Sequence, residues 1–401
     1  MEQTVHKTSL TDIYRERLSV LQAQQRLREC QNVSGAEFPL ISINGQLAIH
    51  FCSNNYLGLA IDPRMKQAAL EAIENSGTSA SASRLVSGTD ARIIQLEESI
   101  ADWKGTEAAL VFNSGYQANL GIIQALTGPG DWIFADRLNH ASLVDGCRLS
   151  GAKLVRYHHK DVNHLEDKLK TAPVNALKWI ITDSVFSMDG TRAPLEALVD
   201  LSEKYGAMLM VDEAHANGIL GDKKHSGLVE HLRLIGCVHL QTGGFGKALG
   251  SQGGYAAGSR VLIDTLINKA RSFIYSTALP PSVIAANKKA LEVVQSESSL
   301  NERLWQNIHL MHTGLCDILS SANLPESPAS GIFPVIIGDS AKTLVVCDDL
   351  LSRGFFVKAI RPPTVPEGTA RLRITLSAAH TQSQIQSLLL ALKDCIATTS
   401  S

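Results

Sequence analysis

Lys247 lies in Gly243-Gly244-Phe245-Gly246-Lys247-Ala248-Leu249-Gly250. Small neighbours give a lysine little to pair with and leave room for a planar molecule to approach its amine. Upstream, Leu209-Met210-Val211-Asp212-Glu213-Ala214-His215 is an apolar run that ends in an acid and a histidine. A buried strand ending in Asp-x-x-His, followed by a glycine-flanked lysine, fits the chemistry of pyridoxal phosphate (PLP). The lysine forms a Schiff base, and Asp212 holds a pyridinium nitrogen protonated. An acid at the end of an apolar strand is costly without a cationic partner, and a pyridinium supplies one. A structural salt bridge is the competing reading. A phosphate loop of the Walker A type is disfavoured, because Ala248 stands where that motif needs Ser or Thr.

Three further segments combine a strand end with reactive side chains. Asn113-Ser114-Gly115-Tyr116-Gln117-Ala118-Asn119 follows an apolar strand and opens a helix, whose first N–H groups suit an anion such as phosphate. An ordinary strand-to-helix turn has the same pattern. His140, in Asp136-Arg137-Leu138-Asn139-His140-Ala141-Ser142, follows another strand, where open α/β sheets place ligands. Its imidazole is suited to stacking on an aromatic ring, or it is simply a histidine satisfied within the protein. Ser187, in Thr182-Asp183-Ser184-Val185-Phe186-Ser187-Met188-Asp189-Gly190, is placed to donate to a cofactor phenolate, or is a turn serine before Asp-Gly. His215 is expected near the same oxygen. Arg371 and Arg373 alternate onto one strand face and could clamp a carboxylate; the alternative is a pair of solvent-facing arginines.

The elements that must position these groups are legible from periodicity. Charged residues with apolar repeats from about 10 to 30 predict an amphipathic helix. Residues 41–51 alternate around Asn44-Gly45, a hairpin signal. Helices are predicted over 63–74, 93–103 and 116–126, and strands over 108–112, 132–135, 153–157, 179–184 and 208–211. This alternation predicts a mostly parallel sheet covered on both faces. Pro280-Pro281 opens a helical region from Ser282 to Ser320. Beyond Ala329, strands over 333–337, 355–359 and 371–376 and helices over 342–353 and 382–395 predict a small α+β C-terminal domain. The expected division is an N-terminal helix and hairpin segment (1–48), a large cofactor-binding domain (49–282) and the small domain (283–401).

Composition bounds the rest. With 44% hydrophobic and 19% charged residues the chain reads as soluble and globular. A net charge of −2 gives no reason to expect nucleic acid or an anionic membrane as partner. No apolar run is long enough to span a bilayer, and Met1–Lys7 lacks a signal-peptide core, so the cytoplasm is the default location. The seven cysteines are dispersed and odd in number, which argues against both a disulfide frame and a zinc site.

Taken together these segments resemble the α-oxoamine synthase family of PLP enzymes over about residues 20–390. The resemblance includes Ser53-Asn54-Asn55-Tyr56-Leu57-Gly58-Leu59, Ser83-Arg84-Leu85-Val86-Ser87-Gly88, the segments around Gly115, His140, Ser187, Asp212 and Lys247, the run from Tyr275 to Pro281, and Leu372 to His380. It implies the aspartate-aminotransferase-like fold (PLP transferase fold type I) and a homodimer with active sites at the subunit interface. By resemblance, Lys247 is the Schiff-base lysine, Asp212 the pyridinium partner, and His140 the stacking residue. His215 and Ser187 bound O3′, and Gly115 and Tyr116 give backbone N–H groups. Ser276 and Thr277 of the partner subunit reach the phosphate. Asn54 and Arg373 bind the amino acid, with Arg373 on its carboxylate, and Arg28, Arg361 and Thr364 face the acyl chain or its carrier.

Within the family, Ile360-Arg361-Pro362-Pro363-Thr364-Val365-Pro366 and the arginines after it look like the branch that condenses L-alanine with a pimeloyl thioester, on coenzyme A or acyl carrier protein, in biotin synthesis. Glycine C-acetyltransferase, serine palmitoyltransferase and 5-aminolevulinate synthase are the sister readings. A catalytically silent PLP-fold binding subunit is the reading from another class, and retention of both Lys247 and Asp212 argues against it. One departure stands out: the family's threonine three residues before the lysine is Gly244 here. The resemblance then implies that the phosphate leans on backbone N–H groups and the partner chain, with weaker PLP retention, unless Thr242 substitutes.

Overall fold

A computed structural model describes residues 10–319 and 328–400. Met1–Lys7 and Ser320, which entered the expectations above, lie outside the described residues. Contacts divide the chain into two compact units. Unit 1 comprises Met1–Cys52, Pro334–Ile374 and Gln386–Ser401, and unit 2 comprises Ser53–Phe333 and Thr375–Ile385. Residues 283–333 therefore group with the large sheet by contact, and the N-terminal segment groups with the C-terminal one.

Unit 1 opens with α1 (Leu10–Ala23), none of whose residues is buried. The helix stops short of residue 30 because Gln25 takes a left-handed φ of 55° and the Arg26 N–H turns back to the Leu21 carbonyl. Strands β1 (Val33–Glu37), β2 (Leu40–Ile43) and β3 (Gln46–His50) follow. Positive φ at Asn44 (49°) and Gly45 (91°) makes the tight β2–β3 turn that the Asn-Gly pair announces. Strand β1 was not expected, because Val-Ser-Gly-Ala-Glu shows neither alternation nor β-branched enrichment.

Unit 2 then runs α2 (Pro63–Ser76), α3 (Ala91–Lys104), β4 (Ala108–Phe112), α4 (Gly115–Leu126), β5 (Trp132–Asp136), α5 (Ala141–Ser150), β6 (Lys153–Tyr157), α6 (Val162–Leu169), β7 (Lys178–Asp183), α7 (Leu195–Tyr205), β8 (Ala207–Asp212), α8 (Leu228–His231), β9 (Leu240–Gly244), β10 (Gly254–Gly258), α9 (Arg260–Lys269), α10 (Arg271–Ile274), α11 (Pro281–Ser296) and α12 (Ser298–Cys316). Local chemistry sets the ends. Asp62 and Asp90 cap α2 and α3 by accepting from Arg64 N and Arg92 N, and Gly105 closes α3 in the left-handed region. The single helix expected over 282–320 is two helices, broken at Glu297 with no glycine or proline to mark the break.

The seven strands order as β4-β10-β9-β8-β7-β5-β6, and β10 alone runs antiparallel to its neighbours. Every other strand delivers its C-terminus to the same edge. Leu110, Phe112, Ile122, Ile133, Ile181, Met210 and Leu240 fill the core against helices that include α4 and α9. The sequence reading missed β9 and β10, which are rich in glycine and alanine and buried throughout. Packing demands that smallness. A Cβ on Gly243 would meet Asn217 Nδ2 at 2.4 Å, and one on Gly254 would meet the Gly115 N at 2.6 Å. Glycine weakens a strand's local signal while permitting close backbone approach.

The chain continues with β11 (Ile332–Gly338), α13 (Ser340–Ser352), β12 (Phe355–Phe356), β13 (Lys358–Ile360), β14 (Ala370–Thr375) and α14 (Gln382–Ser400). The strand expected over 355–359 is split at Val357. Its first half joins β1-β2-β3-β12, and its second half joins β11-β14-β13. Among the described residues no helix is long and apolar enough to cross a membrane.

Candidate active site

Five strand ends of unit 2 converge on a cavity of about 280 Å³. Register aligns three of them: Asp183 of β7 pairs with Asp212 of β8, which pairs with Thr242 of β9. The apolar residues before Asp212, Leu209 to Val211, are buried and hold β8 in place, so the carboxylate is presented at a fixed point. Its Oδ1 accepts from Ala214 N at 2.9 Å and its Oδ2 from Asn119 Nδ2 at 2.7 Å. Both donors are amides rather than cations. The adjacent acid is committed elsewhere, since Glu213 accepts from Leu228 N and Val229 N at the start of α8.

Histidines flank this carboxylate. His215 is buried, and its Nδ1 hydrogen-bonds the Tyr56 hydroxyl at 2.8 Å. His140 caps α5, and its own N–H donates to Asp183 Oδ2 at 2.8 Å. The residue is exposed, but its ring lines the cavity. Lost hydration holds its pKa below the usual value; the Lys247 charge acts the same way, against Asp212 and Asp145. The Tyr116 ring stands edge-on to it at 6.4 Å and 80°, and the Tyr116 hydroxyl donates to Asp145. Burial, and then the Asp212 charge, pushes the Asp183 carboxyl well above the ordinary range.

Lys247 occupies the turn after β9, half-buried, with its side chain in the cavity lining. Buried Phe245, Ala248 and Leu249 anchor the turn. Gly250 closes it at φ 64°, where a Cβ would strike the Ala60 N at 2.3 Å. Beside it Ser114 caps α4 by accepting from Gln117 N. Helical geometry leaves the Gly115 and Tyr116 N–H groups without an intrahelical acceptor. Gly244 also lines the cavity, and a Cβ there would meet nothing nearer than the Gly253 carbonyl at 3.5 Å. The Thr242 hydroxyl donates to Asn119 Oδ1 at 3.1 Å, and Thr242 is not among the lining residues. An amine, a strand-end carboxylate, two imidazoles and a helix N-terminus fit a planar pyridine with an aldehyde and a phosphate arm.

The structure thus brings together Asn54, Gly115, Tyr116, His140, Asp212, His215, Gly244 and Lys247. It does not bring Ser187 to the lining; that residue is half-buried in the turn after β7. Ser276 and Thr277 line no part of this cavity in the single chain; the Thr277 carbonyl accepts from Asn113 Nδ2. Unit 1 carries a second cavity of about 360 Å³, lined by Arg26, Arg28, Lys358, Arg361 and Thr364 among others. Arg28 donates to Thr364 Oγ1 at 2.9 Å, Arg361 to the Gln25 carbonyl, and Arg26 pairs with Glu367. Arg371 and Arg373 are buried on β14, so the solvent-facing alternative does not hold. Asn119, Ser142, Tyr56 and Asp183 were not singled out by the sequence. The one available signal was position: Asn119 one helical turn after Gly115, and Ser142 two residues after His140.

Known proteins carry the same arrangement of chain. The 8-amino-7-oxononanoate synthase of Trichlorobacter lovleyi is 49% identical over 356 residues, which is 88% of this chain and 90% of that protein. A serine palmitoyltransferase variant from S. paucimobilis with a bound PLP–myriocin aldimine superposes with a TM-score of 0.91 at 31% identity, covering 97% of this chain and 98% of that one. The 8-amino-7-oxononanoate synthase of Francisella tularensis superposes with a TM-score of 0.75 at 30% identity, over 88% and 99%. The fold is that of the type I PLP-dependent transferases, as the segment resemblance implied. Residues 48–392 match the family described as aminotransferase class I and II, and the chain belongs to that family.

Proposed function

We propose that the chain is a PLP-dependent acyltransferase that condenses L-alanine with a pimeloyl thioester. The thioester's C–S bond breaks as the new C–C bond forms at the alanine α-carbon, and the carboxylate leaves as CO₂. The products are 8-amino-7-oxononanoate, CO₂ and free thiol, a step of biotin synthesis in the cytoplasm. The observation that supports this most is the convergence of Lys247, Asp212, His140 and His215 on one cavity, in a chain 49% identical to a relative named for that product.

PLP held through Lys247 would supply an electron sink for the bonds made and broken at the α-carbon. Asp212, fixed by Ala214 N and Asn119, would hold a proton on the ring nitrogen. His140 would stand against the ring face, and lost hydration at its ring lowers its pKa. His215, held by Tyr56, would address the ring oxygen; Ser187, which the resemblance assigns to the same oxygen, stands outside the cavity lining. The first N–H groups of α4 take the phosphate, with Ser276 and Thr277 of the partner subunit completing that end in a homodimer. Lys247, whose side chain lines the cavity, would hold PLP and would be the base placed to take the α-proton. Asn54 and Arg373 are assigned to the amino acid, and Arg28, Arg361 and Thr364 to the acyl chain, its distal carboxylate or its carrier.

The test is a titration of the PLP absorption band with amino acids, followed by addition of thioester. A spectral response to L-alanine and CO₂ release with pimeloyl thioester are expected. A response confined to glycine, with turnover on acetyl-CoA, would replace this reading with the sister acetyltransferase.

A further inference from the structure

The cavity wall holds a chain of buried polar side chains that joins the two flanks of the site. Asp212 has only acceptor atoms, so the Asn119 amide atom 2.7 Å from its Oδ2 is the nitrogen. The same Nδ2 reaches Ser142 Oγ at 2.9 Å with its second hydrogen. The amide oxygen then faces the other way and accepts from the Thr242 hydroxyl at 3.1 Å. Asn119 is 2% exposed, Ser142 1% and Thr242 1%. The amide's orientation is therefore set from both ends, by a hydroxyl on one side and a carboxylate on the other.

That orientation has a consequence at His140. Ser142 Oγ accepts from Asn119, so its own proton is left to donate, and His140 Nδ1 lies 2.8 Å away. The Ser142 N–H also points at Nδ1, at 3.3 Å. Two donors on one ring nitrogen make that nitrogen an acceptor, and a neutral imidazole then carries its proton on Nε2. We propose that Asn119, oriented by Thr242, is a positioning residue that couples Asp212 to His140 and fixes His140 as its Nε2–H tautomer. His140 thereby acts in the cavity as a hydrogen-bond donor, suited to a carbonyl or carboxylate oxygen of the substrate. The charged and titratable groups around His140 are Tyr116 and Asp145 on α4 and α5, Asp183 and Asp212 at the ends of β7 and β8, and Lys247 after β9. The use of that donor rests on the function proposed above; the tautomer does not.

Thr242 allows the test, because shape and hydrogen bonding can be separated there. Thr242→Val keeps the volume and loses the hydroxyl; Thr242→Ser keeps the hydroxyl and loses a methyl. Nitrogen-15 NMR of the histidine rings on the full PLP-loaded chain, with the His140 signal assigned by its loss in His140→Gln, should show protonated Nε2 and bare Nδ1. Thr242→Val should turn this into a tautomer mixture and lower kcat roughly tenfold, the scale of losing an outer partner of a working histidine, with KM for the amino acid within about twofold. Thr242→Ser should match wild type on both readouts. Protonated Nδ1 in the wild type, loss in Thr242→Ser alone, no loss in either variant, or loss in both with an unchanged His140 signal would each overturn the proposal. An Nε2–H signal in a protein that does not turn over alanine and pimeloyl thioester would count against the proposed reaction instead.

Discussion

The two cavities are held in different ways. In unit 2 the working groups hang from strand ends whose register is set by buried apolar neighbours, and Asp212, at 6% exposure, takes two hydrogen bonds that fix its plane. In unit 1 the lining cations come from a segment near residue 28 and another near residue 361, tied by single contacts. In the Arg26–Glu367 pair the side chains are 34% and 75% exposed, a setting in which an ion pair contributes little. A buried, doubly bonded carboxylate fixes geometry, and exposed guanidinium groups contribute charge. Substitutions in the first cavity should therefore appear in kcat, and those in the second in KM and in salt dependence.

The sharpest way to break this contrast is Lys247→Ala. Turnover should fall by at least about a thousandfold, since the nucleophile and proton carrier are lost together, while circular dichroism and Tm stay near wild type. Retained activity would remove the first cavity from the chemistry. Next in size is the comparison of supporting frames. Phe112→Ala, at the end of β4, should cost about 3–5 kcal/mol in denaturant unfolding, whereas Leu18→Ala on exposed α1 should stay within about 0.5 kcal/mol. Arg361→Ala should raise KM for the thioester roughly tenfold, less so at high salt, with kcat nearly unchanged; a kcat effect of the same size would erase the distinction between the cavities. Gly244→Thr should tighten PLP several-fold to about tenfold by adding one hydroxyl donor to an anion, because the added Cβ meets only ordinary contact. PLP release from the variant and wild type on dilution measures this directly.

The smallest effect is a pH dependence behind the first cavity. Lys104 is fully buried, and that burial lowers its pKa to about 8 against the opposing charges of Glu213, Glu230 and Asp212. An unfolded lysine titrates near about 10.4, so folding releases a proton between those values and stability rises as pH climbs through that window. Lys104→Met should flatten that rise in unfolding measured at several pH values. An identical pH profile in both proteins would show that Lys104 is not the source.

Much of this frame was legible in advance, for reasons that can be named. Strands β4 to β8 carry apolar runs and α2 to α4 a helical period, so their existence and near-boundaries follow from pattern. Asn44-Gly45 gave its turn because few other pairs tolerate two positive φ angles. Strands β9 and β10 were silent, since their glycines, which the lack of room beside Asn217 and Ser114 requires, weaken the local strand signal. The break at Glu297 was silent as well, since no breaking residue marks it.

The sequence alone determined the family, through ordered motifs, and the chemistry of the strand-end residues, because an acid after an apolar run and a lysine among glycines have few other uses. Only the tertiary structure decided which polar residues support them. Asn119, Ser142 and Thr242 are ordinary in their own segments and acquire their part because strand register and the seat of α4 bring them within hydrogen-bond reach of Asp212 and His140. Contacts of that kind join residues as far as 93 and 123 positions apart, and no local pattern encodes them. The gathering of Arg28, Arg361 and Thr364 into one cavity is the same lesson in unit 1: residue type was visible along the chain, and proximity was set by folding.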